Sequence, residues 1–309
     1  MIEIVKDTKI KFTKYMSAAS IVSGIMVLAS IILAVTKMQY GVDFRGGAEI
    51  QVKFQESISL NDVRADMEKN GFKGVVAQTI GEPQDNEVLI KVQGDESNLN
   101  QITEQVNSAI RKDFLAQGAE VIKVDVVGPK AGAQLRLSGF QAMMWAMIAI
   151  MIYVALRFDF KYAPGAIVAL IHDVSIVLGA YAITGTEFTL QTVAALLAVI
   201  GYSVNDTVII YDRVRENEQK APGLELSEHI DNACNDTLAR TILTSGTTLA
   251  VSIVMLVTGG AAIRDFFLAI TIGIVVGTYS STFIAAPVTL IFNHFRGNKN
   301  PKVVNAVKA

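Results

Sequence analysis

Apolar positions along the chain fall into two regimes. In the first, unbroken apolar runs reach membrane length, at approximately 17–35, 139–156, 163–183, 188–210, 241–262 and 266–292. At a rise of about 1.5 Å per residue, each crosses a hydrocarbon core of about 30 Å. The second regime lies between the first and second runs, where apolar residues alternate or recur at helical spacing. Ile50, Val52 and Phe54 share one face of a strand, while Ile102, Val106, Ala109, Ile110 and Phe114 make one stripe of a helix. The predicted order is strand 47–54, helix 60–70, strand 75–80, strand 87–92, helix 99–116 and strand 121–127. Gly71, Gly81, Gly94 and Gly118 fall at element ends. This βαββαβ order is the split βαβ, ferredoxin-like arrangement. The pattern therefore predicts an α-helical polytopic membrane protein of six spans carrying one α+β domain.

Charge orients the bundle. Lys6, Lys9, Lys11 and Lys14 precede the first span, and Arg157 and Lys161 lie between the second and third. Arg213, Arg215, Lys220 and Arg240 lie between the fourth and fifth, and Arg296, Lys299, Lys302 and Lys308 follow the sixth. The opposite short loops carry only Arg264. By the positive-inside rule both termini are cytoplasmic and the α+β domain is external. The organisation expected is a cytoplasmic N-terminus (1–16), a first span (17–36), the external domain (37–137) and spans two to six (138–293). A cytoplasmic amphipathic segment is expected at about 213–239 and a cytoplasmic tail at 294–309. The first run leads into Met38-Gln39-Tyr40 without a small-residue cleavage site, so it reads as an anchor. Pro287 is expected to kink the sixth span.

Composition agrees: 51% of the 309 residues are hydrophobic and 18% are charged. With a net charge of −2 and no basic cluster interleaved with aromatics, no nucleic-acid partner is expected. The lone Cys234 allows no intrachain disulfide, has no zinc-ligand spacing around it, and is expected at the surface or lightly packed. No nucleotide-binding loop and no Ser-His-Asp set appear, so neither an enzyme nor a cofactor is expected.

Candidate chemistry sits inside the spans. Asp206, flanked by Asn205 and Thr207, lies in the fourth apolar run, where an ionisable side chain marks a functional site by default. Arg240 enters the fifth run from the same side, and its side chain is expected to extend inward and meet Asp206. Such a pair works as a proton relay in which the carboxyl switches and the arginine keeps its charge. The competing reading is a structural ion pair locking two helices. His172 and Asp173 lie roughly 15 Å into the third span and read equally as a second relay element or as helix-holding polar groups. Glu187 reads as interfacial. Gly41-Val42-Asp43-Phe44-Arg45-Gly46-Gly47 lacks the lysine and following helix of a phosphate loop. Its Gly41, Asp43, Arg45, Gly46 and Gly47 suit a rigid elbow with an ion pair or capped turn.

Those motifs carry a resemblance. Gly41-Val-Asp-Phe-Arg-Gly-Gly47 after a first span is similar to the signature of the SecD/SecF family of bacterial protein-export membrane proteins. Ala169-Leu-Ile-His-Asp-Val174, Gly201-Tyr-Ser-Val-Asn-Asp-Thr-Val-Ile-Ile-Tyr-Asp-Arg213 and Asn235-Asp-Thr-Leu-Ala-Arg-Thr-Ile-Leu-Thr-Ser-Gly-Thr-Thr248 match it too, and six spans with one loop domain cover the whole chain. The small external domain resembles the member with the smaller external region. The resemblance implies half of a bundle related to resistance-nodulation-division exporters, in the bacterial inner membrane. It implies pairing with SecD, association with the SecYEG channel and with YajC and YidC, and use of the proton gradient to promote translocation of unfolded secreted chains. Asp206, Arg240 and Asn205 would be the relay residues and H⁺ the coupling ion, with Na⁺ the alternative. Rival readings are a passive assembly subunit and a half-unit of a proton-driven small-solute exporter.

A topology experiment tests this reading. A reporter fused after Gln93 is expected to read as external and one after Lys220 as cytoplasmic; a cytoplasmic signal at Gln93 would overturn the membrane arrangement.

Overall fold

The computed structural model describes residues 8–72, 75–80, 84–93 and 99–295. The tail lysines and Arg296, together with Lys6, Gly81 and Gly94, lie outside the described residues. The elements run α1 (Thr13–Lys37), β1 (Gln39–Tyr40), α2 (Val42–Arg45), β2 (Gly47–Lys53), α3 (Leu60–Lys69), β3 (Val76–Ile80), β4 (Glu87–Val92), α4 (Leu99–Asp113) and β5 (Glu120–Val127). Then come α5 (Pro129–Arg157), α6 (Ala163–Thr184), β6 (Glu187–Phe188), α7 (Leu190–Lys220), α8 (Leu226–Thr258), α9 (Gly260–Ser280) and α10 (Ala286–Phe295). Among the described residues six helical stretches are long and apolar enough to cross a membrane, the sixth joining α9 to α10.

The domain between the first and second spans is a four-stranded antiparallel sheet in the order β3-β4-β2-β5, with α3 and α4 on one face. That order is the ferredoxin-like one. Ile50 pairs with Ile90 on one side and Val124 on the other. Ala48, Ile50 and Val52 are fully buried against Val63, Met67, Val106 and Ile110. Alternation sends Glu49 and Lys91 to the opposite face, which turns toward the membrane half. There Lys91 Nζ lies 2.7 Å from Glu187 and 3.5 Å from Glu49. Glu187 is thus more than interfacial, because it holds the sheet to the bundle. The two-residue strands β1 and β6 pair in parallel beside it.

The elbow is a short helix, α2, closed by Gly46 at φ 84° and Gly47 at φ 145°. A side chain at Gly46 would also meet the Pro129 backbone nitrogen at 2.7 Å. Phe44 stacks on Phe188 with ring centroids 5.5 Å apart. Asp43 Oδ2 accepts from the Leu190 amide at 2.8 Å, and Gly41 N donates to Phe188 O at 2.9 Å. The carboxylate therefore caps α7, a helix remote in sequence, and not the elbow itself; Arg45 is exposed. α5 begins at Pro129, well before the apolar run, because Gly132 lets its first turn lie on α2. A Cβ at Gly132 would crowd the Phe44 carbonyl oxygen at 3.1 Å.

Three further differences have local causes. The segment 213–239 is the end of α7, a short turn and the start of α8, and α8 runs without a break into the fifth span. The sixth span does not simply kink at Pro287: a π turn, Ser281–Ala285, precedes it. Proline has no N–H for the Phe283 carbonyl, and Ser20 Oγ donates to that carbonyl at 3.5 Å instead. Cys234 is buried, 3% exposed, among Ala233, Ile230 and Ala286.

Burial works to strip Lys91 of its proton, but Glu187 and Glu49 outweigh it, so its pKa stands above the ordinary lysine value. Burial pushes the Glu49 carboxyl up, against the pull of Lys91. A raised lysine contributes stability that is complete below its unfolded value, about 10.4, and is lost as pH rises through the folded value. Docking of the domain should hold across neutral pH and loosen in strong base. Glu187→Gln leaves a buried cation short of its nearest partner and should weaken docking by about 3 kcal/mol, read as faster amide exchange in 47–53 and 187–188.

Candidate functional site: carboxyls inside the helix bundle

Helix α7 carries the site and its phase decides what each residue meets. Thr189 caps it, with its Oγ1 accepting from Thr192 N at 3.4 Å. Gly273 and Gly277 face α7, and a Cβ at Gly277 would lie 3.0 Å from Ser203 Cβ. Two small residues one turn apart let α9 approach closely.

Asp206 is 2% exposed. Its Oδ2 accepts from Ser245 Oγ of α8 at 3.3 Å, while Oδ1 is buried with no hydrogen-bond partner among the described residues. Ser245 Oγ in turn accepts from Thr278 of α9 at 2.8 Å and from Tyr202 at 3.4 Å. The acid is held by a single hydroxyl, which two further hydroxyls anchor. A hydroxyl donates to a carboxylate and accepts from a carboxylic acid, so this environment can serve both protonation states.

The expected contact with Arg240 is not made. Arg240 is exposed and lines a cleft of about 350 Å³ between α5, α7 and α8, with Tyr153, Arg157, Asp212, Arg213 and Thr237. Arg240 and Ser245 are five residues apart, which turns their side chains about 140° from each other. The phase that aims Ser245 at Asp206 aims Arg240 elsewhere. Asn205 likewise faces outward, about 100° from Asp206, and so do Thr247, Thr248 and Val251 of α8. Within the fifth span, the buried face of α8 is Thr241, Ser245 and Ser252.

His172 and Asp173 are brought together, 3% and 1% exposed. His172 Nδ1 lies 2.8 Å from Asp173 Oδ1, and Asp173 Oδ2 accepts from Ser203 Oγ at 2.5 Å and Ser280 Oγ at 2.8 Å. One carboxyl thereby joins α6, α7 and α9. Sequence reasoning missed Ser203, Ser245 and Ser280. The signal that could have found them is that Ser203 stands three residues from Asp206 on α7, and Ser245 inside a hydroxyl-rich block of α8.

A bundle of six membrane-length helices with buried acids and one ferredoxin-like domain between the first and second defines a polytopic membrane protein. Residues 106–294 match the family model described as protein export membrane protein SecD/SecF, C-terminal, and residues 31–58 match the SecD/SecF GG motif. The chain is 39% identical over 289 residues to protein translocase subunit SecF of Rickettsia rickettsii, covering 93% of each, and 38% identical over 292 residues to that of Vibrio alginolyticus, covering 94% of this chain and 92% of that one. It superposes on the crystal structure of SecDF from Thermus thermophilus with a TM-score of 0.79 and 31% identity, covering 93% of this chain and 39% of that one. A SecDF structure in a super-membrane-facing form gives a TM-score of 0.68 at 32% identity, covering 94% and 40%. The chain belongs to the SecD/SecF family of protein-export membrane proteins.

Ser245→Ala removes the one donor that Asp206 has, leaving a buried carboxyl unpartnered, and should lower stability by about 1–3 kcal/mol. Thr278→Val takes a donor from Ser245 but leaves that bond to Asp206 intact, so its effect should be smaller. Thermal unfolding of the detergent-solubilised chain compares them; equal losses would show that Asp206 does not depend on Ser245.

Proposed function

We propose that this chain pairs with a SecD partner in the bacterial inner membrane, both termini cytoplasmic, and uses the proton gradient to promote export of unfolded chains through SecYEG, with YajC and YidC as associated subunits. Asp206 is the proton carrier. The observation that supports this most directly is a carboxyl buried within a span, with one hydroxyl bonded to it and no cation in contact. An acid kept only for packing would be matched by a fixed positive charge. A proton crossing 100 mV releases about 2.3 kcal/mol, enough to bias a two-state bundle. Arg240, in the cleft at the cytoplasmic end, supplies a charge that α8 can bring toward the acid in one state and withdraw in the other. Na⁺ in place of H⁺ would use the same carboxyl.

The partner surface follows from exposure. Asn205 stands within a span and faces out, as do Gly201 and Gly246, around which no heavy atom lies within 4 Å of a Cβ. A polar side chain and small residues at that depth suit a second helix rather than lipid. The solved relatives support the same pairing: each is a SecDF chain of which this chain spans about two-fifths.

Asp206→Asn keeps shape and removes the titratable group. In vesicles holding the complete complex, it should abolish proton-dependent stimulation of export while the partner still co-purifies. Undiminished stimulation would leave the passive-subunit reading in its place.

A further inference from the structure

The proposed carrier leaves one buried ionisable cluster unused. His172 and Asp173 are adjacent on α6, almost fully enclosed, and joined through Nδ1 and Oδ1 at 2.8 Å. The opposite nitrogen, His172 Nε2, is buried with no hydrogen-bond partner among the described residues. Plain helix-holding polar groups would be satisfied on every side. Among the described residues no lysine or arginine pairs with Asp173; its ionic partner is His172. Of the titratable groups on the elements packed around the pair, Tyr279 of α9 has its ring 6.1 Å from the imidazole and its hydroxyl bonded to Ser23 of α1, and Asp206 stands one turn after Ser203 on α7; Asp212, Arg213, Arg215, Glu216, Glu218 and Lys220 lie beyond it toward the end of α7, and Arg264 and Asp265 at the start of α9. Tyr211 of α7 turns away to the Ala285 carbonyl and Thr289. Lys14, Lys37, Lys130, Arg136, Arg157 and His294 stand near the ends of α1, α5 and α10.

We propose that His172 and Asp173 form a second proton-binding site, coupled to Asp206 through α7. Without the proton, a neutral imidazole donates Nδ1–H to a carboxylate, and the pair carries one uncompensated negative charge in a medium that disfavours it. A proton arriving at Nε2 from water lets the Nδ1 proton pass to Oδ1. The products are the other neutral imidazole tautomer and a carboxylic acid, so the pair gains one charge unit and becomes neutral. The unpartnered Nε2 is the atom this step needs.

Coupling comes from shared helices. Ser203, which bonds Asp173, stands one turn before Asp206 on α7, and Thr207 Oγ1 donates to the Ser203 carbonyl at 3.4 Å. On α9, Ser280 bonds Asp173 and Thr278 reaches Asp206 through Ser245. A shift of α7 against α9 that changes one carboxyl's donors therefore changes the other's.

The site rests on its own geometry, and only its use in export rests on the function proposed above. The chain has three histidines, so nitrogen-15 NMR of the full chain labelled at histidine resolves each tautomer, with His172→Gln assigning the signal. In the wild type the His172 signal should exchange one tautomer for the other as the pH is lowered. Asp173→Asn should abolish the exchange. If that variant does not fold, Ser203→Ala and Ser280→Ala, each removing one donor from Oδ2, should move the midpoint by about one pH unit, a tenfold change in proton affinity. Asp206→Asn should move it as well. A single tautomer throughout, or a midpoint that ignores both serines, would overturn the site. A midpoint indifferent to Asp206→Asn would overturn the coupling. Neither outcome depends on export, so the carrier role of Asp206 stands or falls separately.

Discussion

Hydrocarbon offers no hydrogen-bond partner, and a polar side chain within the spans gains by finding one in the protein. That constraint organises this bundle around α7. Ser203 reaches Asp173 on α6, Asp206 receives Ser245 from α8, and Tyr211 donates to the α9–α10 junction at Ala285. None of these contacts tolerates a wide gap between helices. Gly273 and Gly277 provide the close approach, since side chains there would run into Val199 and Ser203. Packing and polar satisfaction are therefore one arrangement, and a change that parts α7 from α9 would strand several polar groups together.

The same helix is fixed at its outer end by the elbow. Asp43 caps the first turn of α7, the Gly41 amide bonds Phe188, and Phe44 packs under Val193 and Leu196. From Asp43 the chain passes through the last residues of α2 and the positive-φ Gly46 directly into β2. Lys91 and Glu187 make a second tie between sheet and bundle. A displacement of α7 would reach the ferredoxin-like domain through rigid, hydrogen-bonded parts, with no flexible linker to absorb it. Under the proposed function this is how protonation within the membrane would move a domain outside it.

What could be read from residues alone follows from which physical quantity each feature depends on. Span number, the βαββαβ order and the placement of Asp206 depend on periodicity and length, and the structure agrees on them because apolar runs and alternation are local properties. The Asp206–Arg240 contact required azimuth as well as depth. Both residues are near the same membrane face, yet the helix phase gives Ser245 the contact. Asp43 capping a helix 147 residues away and Glu187 holding Lys91 depend on which loops the tertiary fold brings together, and neither leaves a local trace. Cys234 departs from expectation for the opposite reason. Its polar neighbours Asp231, Asn232, Asn235 and Asp236 mark the outer faces of α8, and the thiol occupies the remaining, inward one.

The separation of Asp206 from Arg240 bears on how a single acid could do work. A permanent ion pair in a low-dielectric interior would hold the carboxyl ionised and leave nothing to switch. A carboxyl with no polar neighbour would stay protonated and be equally inert. Ser245 supplies the intermediate case, because its hydroxyl satisfies either protonation state and is itself anchored by Thr278 and Tyr202. Under the proposed function the cation must then be movable rather than absent. Arg240 meets that requirement: it stands on the helix that carries Ser245, in an open cleft beside Asp212. A rotation of α8 that brought Arg240 inward would, by the same 140° offset of about five residues, withdraw Ser245. Under the proposed function, donor and cation would thus exchange places at the acid.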